Sequence, residues 1–366
     1  MKTTKKSYGI TLVLTCCLAA TLRAQHLYVV DSMYGTVGEY GLDGSTVNAS
    51  LISGLDLPEG LPTGIAISGN EMFITDPYHG TVGKYTISGK LINASLISGL
   101  VTPEGIAVSG NNLFVTDSDG NCVNEYTTSG TPVAINLIAG LDAPWGITIS
   151  GNYLYVANYA GNERGPGAIT GWIGKYTISG KTVNATLISG LLDGPSCMAI
   201  SGTNLFIANQ GFGVKPGFIA EYGLDGSTIN ASLISGLDTP YGVLSSGNDL
   251  FVLNEGFLTD NPRVGEYTTS GSTVNAALIS GFGEPTGIAI SPPPLPVLSP
   301  LGFSNGQLQV FVGCSSNQTY IVQKSSNLVL TNWVSLLVTN PASSSFLFTD
   351  QNPTNQQQFY RIEIAQ

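Results

Sequence analysis

The sequence predicts an all-β protein, a ring of six four-stranded units followed by a smaller β module. Three observations carry this. A hairpin recurs along the chain, written at 64–76 as GIAISGNEMFITD: an apolar strand, a Gly-Asn turn, a second apolar strand. The composition is turn-rich and charge-poor, with 46 glycines in 366 residues and 10% charged residues, and no long amphipathic helical pattern is present. The two strands of the hairpin also run out of phase over the chain, so that it opens on a second strand and finishes on a first one.

Residues 1–24 come first and read as a secretory leader. Lys2, Lys5 and Lys6 supply the charged start, Ile10 to Ala20 the apolar stretch, and Leu22-Arg23-Ala24 the cleavage site. The apolar stretch is too short to span a bilayer, and no other segment is suited to do so. Thr15 and Cys16 precede the two leader cysteines where a lipid anchor needs a small residue, which argues against lipidation. A secreted, periplasmic or cell-surface location follows. Beyond the leader, nine basic residues face 24 acidic ones, a net charge of −15. So acidic a chain lacks the cations that phosphates need, and nucleic acid is not an expected partner. Cys122, Cys197 and Cys314 are too few and too widely spaced for a disulfide framework or a zinc pattern.

The second strand of the hairpin occurs six times: LYVVD, MFITD, LFVTD, LYVAN, LFIAN and LFVLN, ending at Asp31, Asp76, Asp117, Asn158, Asn209 and Asn254. After each comes a polar strand ending in Tyr (Tyr40, Tyr85, Tyr126, Tyr176, Tyr222, Tyr267), a tight Asp-Gly or Ser-Gly turn, and a fourth strand such as NASLISGL at 48–55. The first strand also occurs six times, at 64–67, 105–108, 146–149, 197–200, 242–245 and 287–290. An open row of such sheets leaves unpaired edges. If 287–290 joins the sheet made by 27–55, the row closes into a six-bladed β-propeller, sealed by a C-terminal strand in the N-terminal blade.

The Pro-x-Gly-Ile-Ala, Leu-Phe-Val-Thr-Asp and Gly-Lys-Tyr elements resemble NHL-type propeller repeats, over about residues 26–291. That resemblance speaks for fold, since such propellers host unrelated activities. The domain plan is a signal peptide at 1–24, the propeller at 25–291, a Pro-rich linker at 292–300 and a module at 301–366. In the last, strands are expected at 307–313, 320–325, 333–338, 345–350 and 358–364. YIVQKSSNLVLTNWVSL with FTD and FYRIEI resembles a small sandwich-like domain found at the C-terminus of secreted proteins of environmental bacteria.

Antiparallel order puts the loops before each first strand and after each second strand on one face, the upper one. From the end of the second strand to the third-strand Gly, Asn or Ala the offset is 7 residues in the first three repeats, 16 in the fourth and 11 in the fifth and sixth. A one-sided rim over a channel makes a cleft. Its three long loops hold Arg164, Lys215 and Arg263, one each, which suits an anionic ligand such as a sugar acid; solvated loop tips are the plain alternative. Two rings of residues surround the mouth. One precedes the first-strand Gly or Cys: Thr63, Glu104, Trp145, Ser196, Tyr241 and Thr286. Trp145 and Tyr241 either stack on a flat ligand or cover the mouth. The other ring is the second-strand ends, where Asn158, Asn209 and Asn254 are ligand candidates, or else bond loop amides.

Gluconolactonase-like propellers hold a divalent metal with a Glu, two Asn and an Asp. A resemblance to them implies Glu104, Asn158, Asn209 and Asp117 as metal ligands, with calcium suited to the oxygen set. DSDGN at 117–121 lacks the later part of a calcium loop and reads as a turn, and no cofactor is required by any motif. No catalytic residue is assigned: the Gly-x-Ser-x-Gly elbow and the phosphate loop are missing, and His79 is a lone loop histidine. The recurring Asn-Ala-Ser/Thr fits the glycosylation pattern but is better explained as inherited strand sequence. The reading is an exported binding propeller, monomeric, for a protein, a carbohydrate or a small anionic ligand. The alternatives are a lactonase- or lyase-like enzyme with a metal at the mouth, and a structural cell-surface or matrix protein.

Overall fold

The structure is a computed structural model; it describes residues 25–55, 61–159, 171–191, 194–211, 216–292, 297–304, 307–314, 319–326, 333–341, 345–351 and 359–364. These fall into two compact units, His26–Pro292 and a second formed by residues from Pro293 onward. The described residues contain no helix long and apolar enough to cross a membrane.

The first unit is six antiparallel four-stranded sheets. Blade 2 runs Ile65–Ser68, Glu71–Asp76, Thr81–Thr86, Leu91–Ser98; blade 3 Pro103–Ser109, Asn112–Asp117, Cys122–Thr127, Pro132–Ala139. Blade 4 runs Pro144–Ser150, Tyr153–Asn158, Gly171–Thr177, Thr182–Leu191; blade 5 Pro195–Ser201, Asn204–Asn209, Gly217–Gly223, Thr228–Leu237; blade 6 Pro240–Ser246, Asp249–Asn254, Arg263–Thr268, Thr273–Ser280. Blade 1 takes His26–Asp31, Thr36–Gly41 and Thr46–Ile52 from the start of the chain and its inner strand, Pro285–Ile290, from the far end. The closing register pairs Leu27 with Ile290, Tyr28 with Ala289, Val29 with Ile288 and Val30 with Gly287.

Closure is visible a second way, in the core. Each pair of neighbouring blades shares one apolar cluster. Tyr28, Val30 and Val37 meet Met72 and Ile74 between blades 1 and 2, and the interfaces 2/3, 3/4, 4/5 and 5/6 follow suit. An open row would stop there. A sixth cluster joins Leu27, Val29 and Tyr40 of blade 1 to Phe251, Leu253 and Val264 of blade 6.

This packing explains why the second strands read as unbroken apolar runs rather than as alternating ones. Side chains alternate in direction along a strand, but here both faces are buried, one against each neighbouring blade. The aromatic at the second position always faces the following blade. Tyr28, Phe73, Phe114, Tyr155, Phe206 and Phe251 are each at most 1% exposed. Two of the six are Tyr because a polar partner is in reach: the Tyr28 hydroxyl donates to Glu39 Oε1 (3.0 Å) and that of Tyr155 to the Leu224 carbonyl (3.1 Å).

The turn between third and fourth strands carries a glycine at the same place in every blade: Gly44, Gly89, Gly130, Gly180, Gly226 and Gly271, with φ from +81° to +88°. Two constraints coincide there. The left-handed backbone disfavours a Cβ, and a Cβ would strike the carbonyl of a leucine on the preceding blade, Leu278 for Gly44 and Leu51 for Gly89. In the fourth strands, Asn48, Asn93, Asn184 and Asn230 accept the backbone N–H two residues on (3.1 Å each) beside a register shift. The repeated Asn thus shapes a bulge in the outer strand.

The second unit has two three-stranded antiparallel sheets. Gln307–Gly313 lies between Val297–Ser304 and Ser345–Asp350; Tyr320–Ser325 lies between Val334–Thr339 and Phe359–Ile364. Leu308, Val310, Val312 and Phe348 of one sheet pack with Tyr320 and Val322 of the other, which makes a sandwich. Asp350, 4% exposed, links the sheets by accepting from Lys324 Nζ (3.0 Å) and the Tyr360 hydroxyl (2.8 Å). One strand begins inside the stretch read as linker: 297–300 belong to Val297–Ser304. Proline misled the reading because it argues against a strand, yet Pro300 sits in an edge strand beside a register shift, where a missing N–H is tolerated.

Candidate functional site

The six first strands surround a central channel, and the described residues lining its upper end are the Thr63, Glu104, Trp145, Ser196, Tyr241 and Thr286 ring, the Gly or Cys that follows each, and Ile65, Ile106, Ile147 and Ile288. Glycine dominates the next position because the blades approach most closely here. A Cβ on Gly64, Gly105 or Gly287 would meet the carbonyl of Glu104, Trp145 or Thr63 on the adjoining blade. The cavity is about 90 Å³.

Hydroxyl groups stitch this ring together. Thr75 Oγ1 accepts from the Gly64 N–H (2.7 Å) and donates to the Glu104 carbonyl (2.7 Å); Thr116 Oγ1 does the same between Gly105 N–H (2.7 Å) and the Trp145 carbonyl (2.6 Å). Ser196 donates to the Pro240 carbonyl (3.1 Å) and Thr286 to that of Pro62 (2.8 Å). The serine and threonines of the ring are therefore engaged in blade-to-blade bonds. Among the described residues, Glu104, Trp145 and Tyr241 remain as the large side chains of this ring. The rings of Trp145 and Tyr241 lie 5.3 Å apart at 57°, and Tyr159 packs edge-on against Trp145 at 4.4 Å, its hydroxyl donating to Gln210 Oε1 (3.3 Å).

The electrostatics are acidic. Burial pushes the Glu104 carboxyl up to about 7, with nearby Asp119 adding to the rise and hydrogen bonds from the Trp145 and Thr63 side chains opposing it. Burial, then Glu284 and Asp238, raise Glu255 to about 7 as well. The Tyr241 hydroxyl is held well above its ordinary value by burial first and by Glu104 and Glu255 next, with Tyr159 and Glu284 contributing. Among the described residues that line the channel there is no Lys, Arg or His.

Because Glu104 rises from an ordinary 4.5 on folding, its contribution to stability is full below that value and is lost as pH climbs through about 7. Glu104→Gln is accordingly expected to stabilise the propeller by about 1–3 kcal/mol at pH 8 and to change little at pH 4. Urea denaturation at the two pH values measures this, and equal effects at both would contradict it.

The structure brings Glu104, Trp145 and Tyr241 together and leaves the other candidates apart from them. Asn158, Asn209 and Asn254 are fully buried behind the ring, and their Nδ2 groups donate to the carbonyls of Val156, Ile207 and Val252 on their own strands. Asn158 Oδ1 accepts the Asp142 N–H (3.1 Å). Asp31 and Asp117 likewise clamp loop amides: Gly283 and Glu284 for the first, Val101 and Thr102 for the second. Of the set Glu104, Asp117, Asn158 and Asn209, only Glu104 lines the channel. Among the described residues no group of three or more His, Cys, Asp and Glu is placed to hold a metal ion. Arg263 opens the third strand of blade 6, two strands out from the channel, with Nη1 on the Asn261 carbonyl (3.2 Å). Arg164 and Lys215 lie outside the described residues. His79 pairs with Asp76 (2.7 Å) at the exposed rim. Sequence reasoning missed Tyr159, Glu255 and Glu284. The signal was available, since the first two directly follow second-strand ends and the third precedes Pro285.

Comparison with known proteins bears on the fold. The chain is similar over 73% of its length, and over 98% of the other chain, to a structure of the nidogen/laminin complex, at 19% identity and TM-score 0.58. The fold is a six-bladed β-propeller. Virginiamycin B lyase from Staphylococcus aureus is similar at 17% identity and TM-score 0.46, covering 69% of this chain and 81% of that one. A gluconolactonase from Xanthomonas campestris is similar at 15% and 0.46, covering 67% and 79%. A model of the LVIVD repeat matches residues 143–161, which take in the inner hairpin of blade 4. No curated protein matches the chain.

Proposed function

We propose that this protein is an exported binding propeller that takes its ligand or partner at the upper mouth of the channel. One observation supports it above the others: a carboxylate and two large aromatic side chains, from blades 3, 4 and 6, meet at the open end of a ring whose remaining polar side chains are occupied with holding the blades together. Aromatic groups that are part-exposed in a concavity, beside a group whose charge is sensitive to its surroundings, are the ordinary makings of a recognition site. The leader at 1–24 supports export, and the net charge of −15 beyond it supports a partner other than nucleic acid.

The chain has three tryptophans, and Trp145 is the one that lines the channel. With Trp172→Phe and Trp333→Phe in place, its emission reports the mouth. Titration with neutral sugars, sugar acids, small amines and short peptides is expected to give a saturable change for one of these classes, lost on Tyr241→Ala. If none of them changes the emission, the mouth is not a binding site.

A further inference from the structure

The proposed mouth leaves open which chemistry it takes, and the described residues narrow that sharply. We propose that the mouth binds a cationic head group, a primary ammonium or a guanidinium, which enters the cavity against the aromatic wall formed by Trp145 and Tyr241 and is held by the Glu104 carboxylate. This rests on the reading of the mouth as a binding site and names what it binds.

Four observations carry the proposal. The first is the cavity itself. Pockets for whole small molecules run to about 300–1,000 Å³, whereas this one is about 90 Å³. It admits a head group and leaves the rest of the ligand above the rim. The second is the aromatic wall. Trp145 and Tyr241 both line the cavity and pack on each other, centroids 5.3 Å apart and tilted at 57°, as one continuous aromatic surface. Ring faces attract cations, tryptophan most strongly. The third is the balance of donors and acceptors. A carboxylate has about four acceptor positions, and hydrogen bonds from Trp145 and Thr63 leave some of those on Glu104 unused. A lining carboxylate with acceptors to spare suits a ligand that only donates. The fourth is the field. Glu255 and Glu284 act on Tyr241, and among the described residues no basic one lines the cavity. The anionic ligand expected from Arg164, Lys215 and Arg263 would meet carboxylates here, at an energetic disadvantage.

The chemistry has two natural sources, a free amine and the lysyl or arginyl side chain of a protein partner, and the test separates them. The probes are butylammonium, 1-butanol and butyrate, which share a stem and differ in charge, with the peptides acetyl-Gly-Lys-Gly-amide and acetyl-Gly-norleucyl-Gly-amide. The reporter is Trp145 emission in the full chain carrying Trp172→Phe and Trp333→Phe. Butylammonium is expected to bind at least about tenfold more tightly than 1-butanol, and Glu104→Gln to remove that margin while circular dichroism shows the fold retained. A lysyl peptide that binds tighter still than butylammonium makes a protein partner the source; parity makes it a free amine. Butyrate binding as tightly as butylammonium, or a margin untouched by Glu104→Gln, overturns the cationic assignment and leaves the mouth a binding site. Silence from every probe, together with silence from the sugars, removes both.

Discussion

Ending the chain after Glu284 is expected to abolish the cooperative unfolding transition that a chain ending after Pro292 retains. The difference is a single strand, Pro285–Ile290. Without it, blade 1 loses its inner strand and Leu27, Tyr28, Val29 and Val30 lose their cover; all four are at most 1% exposed in the closed ring. Returning such side chains to water costs about 1.5–3 kcal/mol each, and whole domains are stable by only about 5–15 kcal/mol. The sum is comparable with everything the fold has. Gly287 is lost too, and with it the close seat on the Thr63 carbonyl that joins blade 1 to blade 2. Thermal or urea unfolding followed by circular dichroism checks the pair of chains. A sharp, unshifted transition in the shorter chain would mean that the strand is dispensable.

Phe114→Ala is expected to destabilise the propeller by about 3–5 kcal/mol. Phe114 is fully buried at the interface of blades 3 and 4, where it packs among Leu154, Val156 and Tyr176. Interiors are close-packed, so the neighbours cannot collapse fully into the space left behind. Val133→Ala, in the outer strand of the same blade with 52% of the valine exposed, is expected to change stability by no more than about 0.5 kcal/mol. Denaturant midpoints of the two variants give the comparison. Similar losses at both positions would show that the interfaces between blades do not carry the stability.

Much of this architecture was legible because a propeller repeats one physical problem six times. A strand buried on both faces has to be apolar throughout, and LFVTD and its relatives are. A backbone with no room for a Cβ has to be glycine, and the Gly of Pro-x-Gly is. The ring Thr63, Glu104, Trp145, Ser196, Tyr241 and Thr286 could be named from phase alone, since each precedes that glycine or, at Ser196, the cysteine in its place. What escaped the reading depends on relations between blades that no single repeat contains. Thr75 and Thr116 look like ordinary strand residues, and only the neighbouring blade reveals them as bridges. The second-strand asparagines looked like possible ligands because their position is right; their side chains turn back onto their own strands. The acidity of the mouth comes from Glu104, Glu255 and Glu284 on three blades, converging on Tyr241. Arg263, conspicuous as one of few cations, stands two strands out.

Every position assigned to the mouth depends on the ring being closed by strands from opposite ends of the chain. Hydrogen exchange followed by mass spectrometry tests that closure in the intact protein. Amides in 285–290 should exchange as slowly as those in 65–68, the inner strand of blade 2, because each is bonded on one side to the second strand of its own blade. Complete exchange of 285–290 within seconds, while 65–68 stays protected, would mean that the last strand is unpaired and that the six residues do not share one rim.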